Sequence, residues 1–164
     1  LNNCLNTYRG AFQQIPPQVS SVHINGERAY KKFWRKENFI LPSKEVKVES
    51  LILKDWDQAN GHLKIEINCS SGTYIRAIAR DLGILLKSEG CLYALRRIKA
   101  SGFNENISID LETLINEKNH KEKFIIPIEE ALDHLPKIHL TNELDILYWR
   151  TGRQNLLAMW HGGE

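Results

Sequence analysis

Asn68-Cys69-Ser70-Ser71-Gly72-Thr73-Tyr74-Ile75-Arg76-Ala77-Ile78-Ala79-Arg80-Asp81-Leu82-Gly83 carries the change of period on which the fold turns. Before it, Leu63, Ile65, Ile67 and Cys69 alternate with His62, Lys64, Glu66 and Asn68, the two-residue period of a strand with one covered face. Beyond the turn, Ile75, Ile78, Ala79, Leu82, Leu85 and Leu86 fall on a single helical stripe, with Arg76, Arg80 and Lys87 off it. Ser70-Ser71-Gly72 supplies the turn, and Thr73 is the expected N-cap. Arg76 then falls in the first helical turn, beside the positive end of the helix, where a cation is unfavourable unless something negative lies opposite. Tyr74 adds a ring and a hydroxyl at the same mouth. Such a junction suits stacking a base and holding a carboxylate; the plainer alternative is a surface arginine beside a core tyrosine.

Outward from this junction the elements follow in order. Asn60-Gly61 is a hairpin turn that pairs the strand with Val46–Leu53. Upstream, residues 2–9 read as the end of a helix stopped by Gly10, and Pro16-Pro17 forces an extended passage. Val19–Ile24 is expected as a short strand, turned at Asn25-Gly26, and Glu27–Lys36 as a helix with Tyr30, Phe33 and Trp34 on one face. Downstream, Cys91–Ala100 reads as a return strand, which would send Arg96 and Arg97 to opposite faces. Short helices are expected over 109–117 and 127–135, a strand over 137–140, and a last helix capped by Thr141 or Asn142 and stopped by Gly152. The fold class is therefore α+β: a mixed, largely antiparallel sheet with flanking helices.

The chain has 164 residues, 42% hydrophobic and 26% charged, which suits one globular domain or one with a small appendage. No apolar run is long enough to span a bilayer, and no secretory signal is visible. Cys4, Cys69 and Cys91 are odd in number and widely spaced, which fits reduced thiols in a cytoplasmic protein better than a disulfide framework. The histidines are scattered outside any metal-binding spacing, so no metal site is expected, and no Walker loop, GxGxxG or GxSxG occurs. Charge is uneven. Residues 23–47 carry seven Lys/Arg against three acids and residues 76–99 six against two, whereas 104–145 carry four against ten. Two basic segments suggest a polyanionic partner, although ordinary solvated faces would give the same pattern. The chain opens Leu1-Asn2-Asn3-Cys4 and its one methionine is Met159, so it is expected to be a piece of a longer protein; the tail 155–164 matches no expected pattern.

Three blocks, in order, resemble one family. Asn68 to Gly83 is similar to the CSKGTYIRxLAxDLG signature of bacterial tRNA pseudouridine-55 synthases, the TruB family. Leu95-Arg96-Arg97, followed by Gly102-Phe103, resembles the family's LRR segment. Phe12, Gln14-Ile15-Pro16-Pro17, Ser20 and Gly26-Glu27-Arg28-Ala29-Tyr30 resemble its F-x-Q-x-P-P-x-x-S-A-x-K-x-x-G-x-R-x-Y run. The resemblance covers about residues 5–103 and is loose beyond 104.

The resemblance implies isomerisation of uridine 55 in the tRNA T-loop to pseudouridine without a cofactor. In the family a catalytic aspartate attacks the extruded nucleotide, the glycosidic bond breaks, and uracil reattaches through carbon. That aspartate lies in a G-x-x-D-P-x-A-x-G motif, which does not occur among these 164 residues. Asp55, Asp57, Asp81, Asp110, Asp133 and Asp145 all have other contexts. The chain is thus expected to be the C-terminal part of a catalytic domain over 1–103, inactive alone, followed by an acidic helical segment over 104–164. By resemblance Arg76 pairs with the catalytic aspartate, Tyr74 lies near the target base, and Leu95 lines the base pocket. Left without its carboxylate, Arg76 is expected to be a buried unpaired charge. The stretch from about 14 to 44 would clamp the T-loop. His23, Arg28, Lys31, Arg35, Arg96 and Arg97 are the expected RNA contacts, with His23 standing where the family has lysine. The expected partner is tRNA, bound by a monomer without metal or membrane. The alternatives are a non-catalytic RNA-binding module and part of a guide-RNA-dependent, dyskerin-type pseudouridine synthase.

Overall fold

A computed structural model describes residues 1–117 and 121–153. The chain divides into two compact units, Leu1–Leu95 and a second that starts at Arg96.

The first unit is built on a three-stranded antiparallel sheet ordered β1-β4-β5, with β1 Gly10–Gln14, β4 Lys44–Asp57 and β5 His62–Cys69. β4 is the long central strand: its first half pairs with β1 (Gly10↔Val48 to Gln14↔Lys44) and its second half with β5 (Val48↔Cys69 to Asp57↔His62). The apolar residues of β4 change parity twice along the chain: Val46 and Val48, then Leu51 and Leu53, then Trp56. A regular strand would throw alternate groups onto opposite faces. Register irregularities between Val48 and Ser50 and between Leu53 and Asp55 absorb one residue each, so Val48, Leu51 and Leu53 join Ile65, Ile67 and Cys69 in one hydrophobic cluster.

Two helices cover that face. α1 (Asn2–Asn6) contributes Leu5, with Tyr8 just beyond it, and α3 (Ile75–Leu85) contributes Ile78 and Leu82; with Val48 and Leu51 these six form the buried core. The tyrosine ring stands edge-on to Phe12 of β1, centroids 5.6 Å apart. Arg9 ties α1's exit to the sheet by donating from Nη2 to the Leu51 carbonyl at 2.8 Å. The helical stripe of α3 is buried as far as Leu82; Leu85 and Leu86, at its end, are exposed.

Between β1 and β4 lies the segment expected to be a clamp. It holds a two-stranded hairpin, β2 His23–Ile24 with β3 Glu27–Arg28, turned by Asn25 and Gly26 in positive-φ conformations, and then α2 (Ala29–Trp34). The expected strand Val19–Ile24 is thus only two residues long. Its first half is a bent loop whose backbone groups are used elsewhere: Ser20 N–H bonds to Gln18, and the Ser20 carbonyl accepts from Tyr30 N–H.

Three further expectations are corrected. Tyr74, not Thr73, is the N-cap of α3, because the Thr73 hydroxyl turns back to the Ser70 carbonyl at 2.8 Å. Cys91–Ala100 is not a strand: only Lys99–Ala100 (β6) pairs, with Phe103–Asn104 (β7), and residues 91–98 have no strand neighbour among the described residues. Arg96 and Arg97 are therefore not placed on opposite faces of a sheet; both are exposed. Nor do residues 137–140 form a strand.

The second unit holds the β6–β7 hairpin and three short helices, α4 Leu111–Asn116, α5 Ile128–Ala131 and α6 Glu143–Arg150. Asp110 caps α4 through Thr113 N–H at 2.8 Å, and Asn142, one of the two expected caps, caps α6 through Leu144 N–H at 2.9 Å. The tail 155–164 lies outside the described residues. The molecule is α+β with a largely antiparallel sheet, as the sequence predicts. Among the described residues no helix is long and apolar enough to cross a membrane.

Candidate functional site

The start of α3 is held by a side chain sixty positions upstream. Gln14, the last residue of β1, is 2% exposed and aims its amide at Tyr74: Oε1 accepts from Tyr74 N–H at 2.9 Å, and Nε2 donates to the Tyr74 carbonyl at 3.2 Å. Tyr74 has no capping side chain of its own, so Gln14 satisfies an otherwise free helix-end donor. Two arginines of α3 reach back across the same interval. Arg80 Nη2 donates to the Ile15 carbonyl at 2.9 Å, and Arg76 Nη2 to the Val19 carbonyl at 2.8 Å. The extended Gln14–Val19 passage is thereby laced to the first two turns of α3.

This lacing borders an open cavity of about 270 Å³ lined by Val19, Ser20, Ser21, Tyr30, Tyr74 and Arg76. Among the described residues Arg76 is the one cation in its wall, to which Tyr30 and Tyr74 also contribute. Ser20 is 5% exposed, and its Oγ is buried without a hydrogen-bond partner in the described structure, an arrangement that a bound polar ligand would relieve. A second hollow of about 480 Å³ adjoins it, sharing Val19 and Arg76 and walled by Pro16, Pro17, Phe39 and Leu41. A guanidinium between an aromatic pair and an apolar groove can grip a carboxylate or phosphate while a planar base lies against a ring.

Arg76 is exposed rather than buried. The expected penalty of an unpaired buried charge at this residue therefore does not arise, and its partner is the backbone carbonyl of Val19. Arg80 is committed elsewhere: it makes a two-point pair with Asp81, Nε–Oδ1 2.6 Å and Nη2–Oδ2 3.1 Å, which raises its pKa against the opposing effect of burial. That charge pair sits near Tyr8, whose hydroxyl pKa is raised first by burial and then by Asp81.

The other expected site residues are dispersed. Leu95 is 61% exposed on the unpaired 91–98 segment and lines neither hollow, so the structure does not bring it to Tyr74 and Arg76. His23 and Arg28 face each other across the β2–β3 hairpin, and Arg28 Nη1 donates to the Ser21 carbonyl at 2.9 Å, beside the cavity wall. Lys31 is exposed on α2. Arg35 is bound within its own segment, with Nη1 on Glu27 Oε1 at 2.7 Å and Nε on Glu37 Oε1 at 2.6 Å. Lys32 joins both carboxylates at 3.7 and 3.1 Å. In the second unit, Arg96 pairs with Glu105 at 2.8 Å. Among the described residues no three His, Cys, Asp or Glu side chains group as metal ligands would.

Gln14, Ser20 and Tyr30 are the residues that sequence reasoning did not assign to the site. All three stand in the quoted F-x-Q-x-P-P to Tyr30 run, but nothing local shows that Gln14 and Ser20 meet a helix some sixty residues on.

Comparison with known proteins bears on this geometry. The family described as "TruB family pseudouridylate synthase (N terminal domain)" matches residues 1–75. A tRNA pseudouridine synthase B of Prochlorococcus marinus strain MIT 9515 is 57% identical over 153 residues, which is 93% of this chain and 50% of that protein. The chain belongs to the TruB family. A tRNA pseudouridine synthase B of Synechococcus sp. strain CC9311 is 46% identical over 93% of this chain and 52% of its own length. The chain thus spans about half the length of the curated relatives it matches. A chain in the crystal structure of a Cbf5-Nop10-Gar1 complex superposes with a TM-score of 0.63 at 22% identity, over 84% of this TruB-family chain and 39% of its own. That likeness concerns the fold.

Proposed function

We propose that this chain is the nucleotide-gripping part of a tRNA pseudouridine synthase, and that a T-loop uridine enters the cavity bounded by Tyr74, Tyr30 and Arg76. The observation that carries the reading is Arg76. Arg76 lines a hollow together with Tyr30 and Tyr74, and its guanidinium's one hydrogen bond among the described residues is to a neutral carbonyl that a carboxylate or phosphate would displace. In this role Arg76 orients the nucleophilic carboxylate that the family uses, and Tyr74 bounds the face of the base. Isomerisation exchanges a C–N for a C–C glycosidic bond within one nucleotide, with no net oxidation, so no redox cofactor is called for. The Asp-Pro motif is absent from these 164 residues, so in this reading the carboxylate comes from other polypeptide. Leu95, His23, Arg28, Lys31, Arg96 and Arg97 remain proposed contacts, with tRNA as partner of a cytoplasmic monomer.

The test is a titration of the chain with a T-loop stem–loop RNA at several salt concentrations, followed by an isomerisation assay with and without a polypeptide carrying the Asp-Pro motif of a Prochlorococcus relative. Binding should weaken steeply as salt rises, since released counterions dominate phosphate contacts. Pseudouridine should form only in the complemented mixture. Absence of T-loop binding at low salt contradicts the reading. Binding without complementation favours the non-catalytic module.

A further inference from the structure

We propose that Gln14 is a positioning residue for this site: its buried amide sets the spacing between the Val19–Ser21 wall and the Tyr74–Arg76 wall of the cavity. The inference rests on the nucleotide-binding reading above and adds to it a residue that touches neither base nor phosphate.

Both walls hang from the contact that Gln14 makes. On one side, its two hydrogen bonds at 2.9 and 3.2 Å seize the N–H and the carbonyl of the same residue, Tyr74. Tyr74 is extended, at φ −93 and ψ 104, and is the last residue before α3, so fixing both its polar groups fixes where the helix begins. The Tyr74 carbonyl also starts the helix by accepting from Ala77 N–H at 3.0 Å. The direction of Arg76 follows from that start. On the other side, Gln14 ends β1 in register with Lys44, and the chain runs straight into Ile15-Pro16-Pro17, whose proline-restricted backbone delivers Val19 and Ser20 to the cavity. Loosening the grip of Gln14 on Tyr74 therefore changes the spacing between the two walls. At neutral pH the side-chain amide presents an acceptor and a donor side by side, which a carboxylate does not. An apolar side chain of similar length would leave the Tyr74 N–H without its partner, and a carboxylate would keep that bond but set its second oxygen against the Tyr74 carbonyl.

The experiment measures equilibrium binding of the full chain to two RNAs, a T-loop stem–loop with uridine at the target position and the same RNA with an abasic site there. The wild-type chain should prefer the uridine RNA. Gln14→Glu at neutral pH should lose about fivefold in affinity for the uridine RNA, the scale of one misplaced buried hydrogen bond, while its affinity for the abasic RNA holds. Lowering the pH to about 5 should restore the preference, because a buried carboxyl titrates upward and its protonated form again offers both donor and acceptor. Gln14→Met should lose the preference at both pH values. Circular dichroism melts run alongside show whether each variant is folded. A folded Gln14→Met or Gln14→Glu that keeps the preference overturns the proposal, as does an equal loss on both RNAs. An unfolded Gln14→Met would assign Gln14 to stability alone and overturn it too. A wild-type chain that does not discriminate between the two RNAs overturns the nucleotide-binding reading itself, and is told apart because it precedes any substitution.

Discussion

Glu27 shows how much of the charge between β1 and β4 is already committed to ion pairs. Its carboxyl is held down to about 2, chiefly by the hydrogen bonds from Arg35; desolvation is the next-largest effect and opposes them, and the charges of Arg35, Lys32 and Lys31 add smaller lowering effects. Glu37 is lowered for the same reason, by Arg35 and then Lys32. Because the folded value lies below the ordinary carboxylate value, the pairing stabilises fully above the unfolded pKa of about 4.3 and is lost as pH falls toward 2. Side-chain carboxyl NMR should give a Glu27 midpoint near that low value; a midpoint of about 4 would mean the pair is not formed. Arg35 is thus engaged by two carboxylates, whereas for Lys31 the structure shows no ion pair among the described residues. Lys31→Ala should lower the salt slope of RNA binding by about one, and Arg35→Ala by less. Equal slopes for the two variants would refute this ordering.

At the scale of elements, Gly83 and Gly90 explain how the chain leaves α3. A Cβ on Gly83 would stand 2.3 Å from the Gly90 backbone nitrogen, and one on Gly90 would stand 2.2 Å from the Ala79 carbonyl oxygen. The returning chain thus lies directly on the helix, and the last glycine of the Asp81-Leu82-Gly83 signature is needed for packing rather than for an unusual backbone angle. Gly83→Ala should destabilise the chain by about 1–3 kcal/mol in urea unfolding, the usual effect of overpacking. Ile78→Ala, which empties a position 1% exposed beneath the sheet, should cost about 2–5 kcal/mol. Neither should alter RNA affinity at temperatures where the variant is folded. The β4–β5 hairpin and α3 were legible in the sequence because their periods, 2 and 3.6, are imposed by burial on one side. The parity changes in β4 were visible as letters but not as bulges, since only the partner strand's register shows which residue is surplus. Cys91–Ile98 misled for a related reason: its residues have strand propensity, but propensity does not supply a neighbour to bond with.

On the scale of the whole molecule, Tyr74 and Arg76 could be nominated from the sequence because a cation at a helix start asks for an anion. The remaining walls of the cavity could not, because Val19, Ser20 and Tyr30 reach α3 through tertiary packing across more than forty residues. The residues that line the cavity all belong to the first unit, and Leu95 of that unit is not one of them. The central claim is that this cavity receives the T-loop uridine. Photocrosslinking tests it most directly, with thiouridine placed at the target position of a T-loop stem–loop and the attached residue read by mass spectrometry. The account predicts attachment to Tyr30, Tyr74 or the Val19–Ser21 loop, reduced by Arg76→Ala. Attachment confined to the helices beyond Arg96, or a yield that Arg76→Ala leaves unchanged, would contradict it.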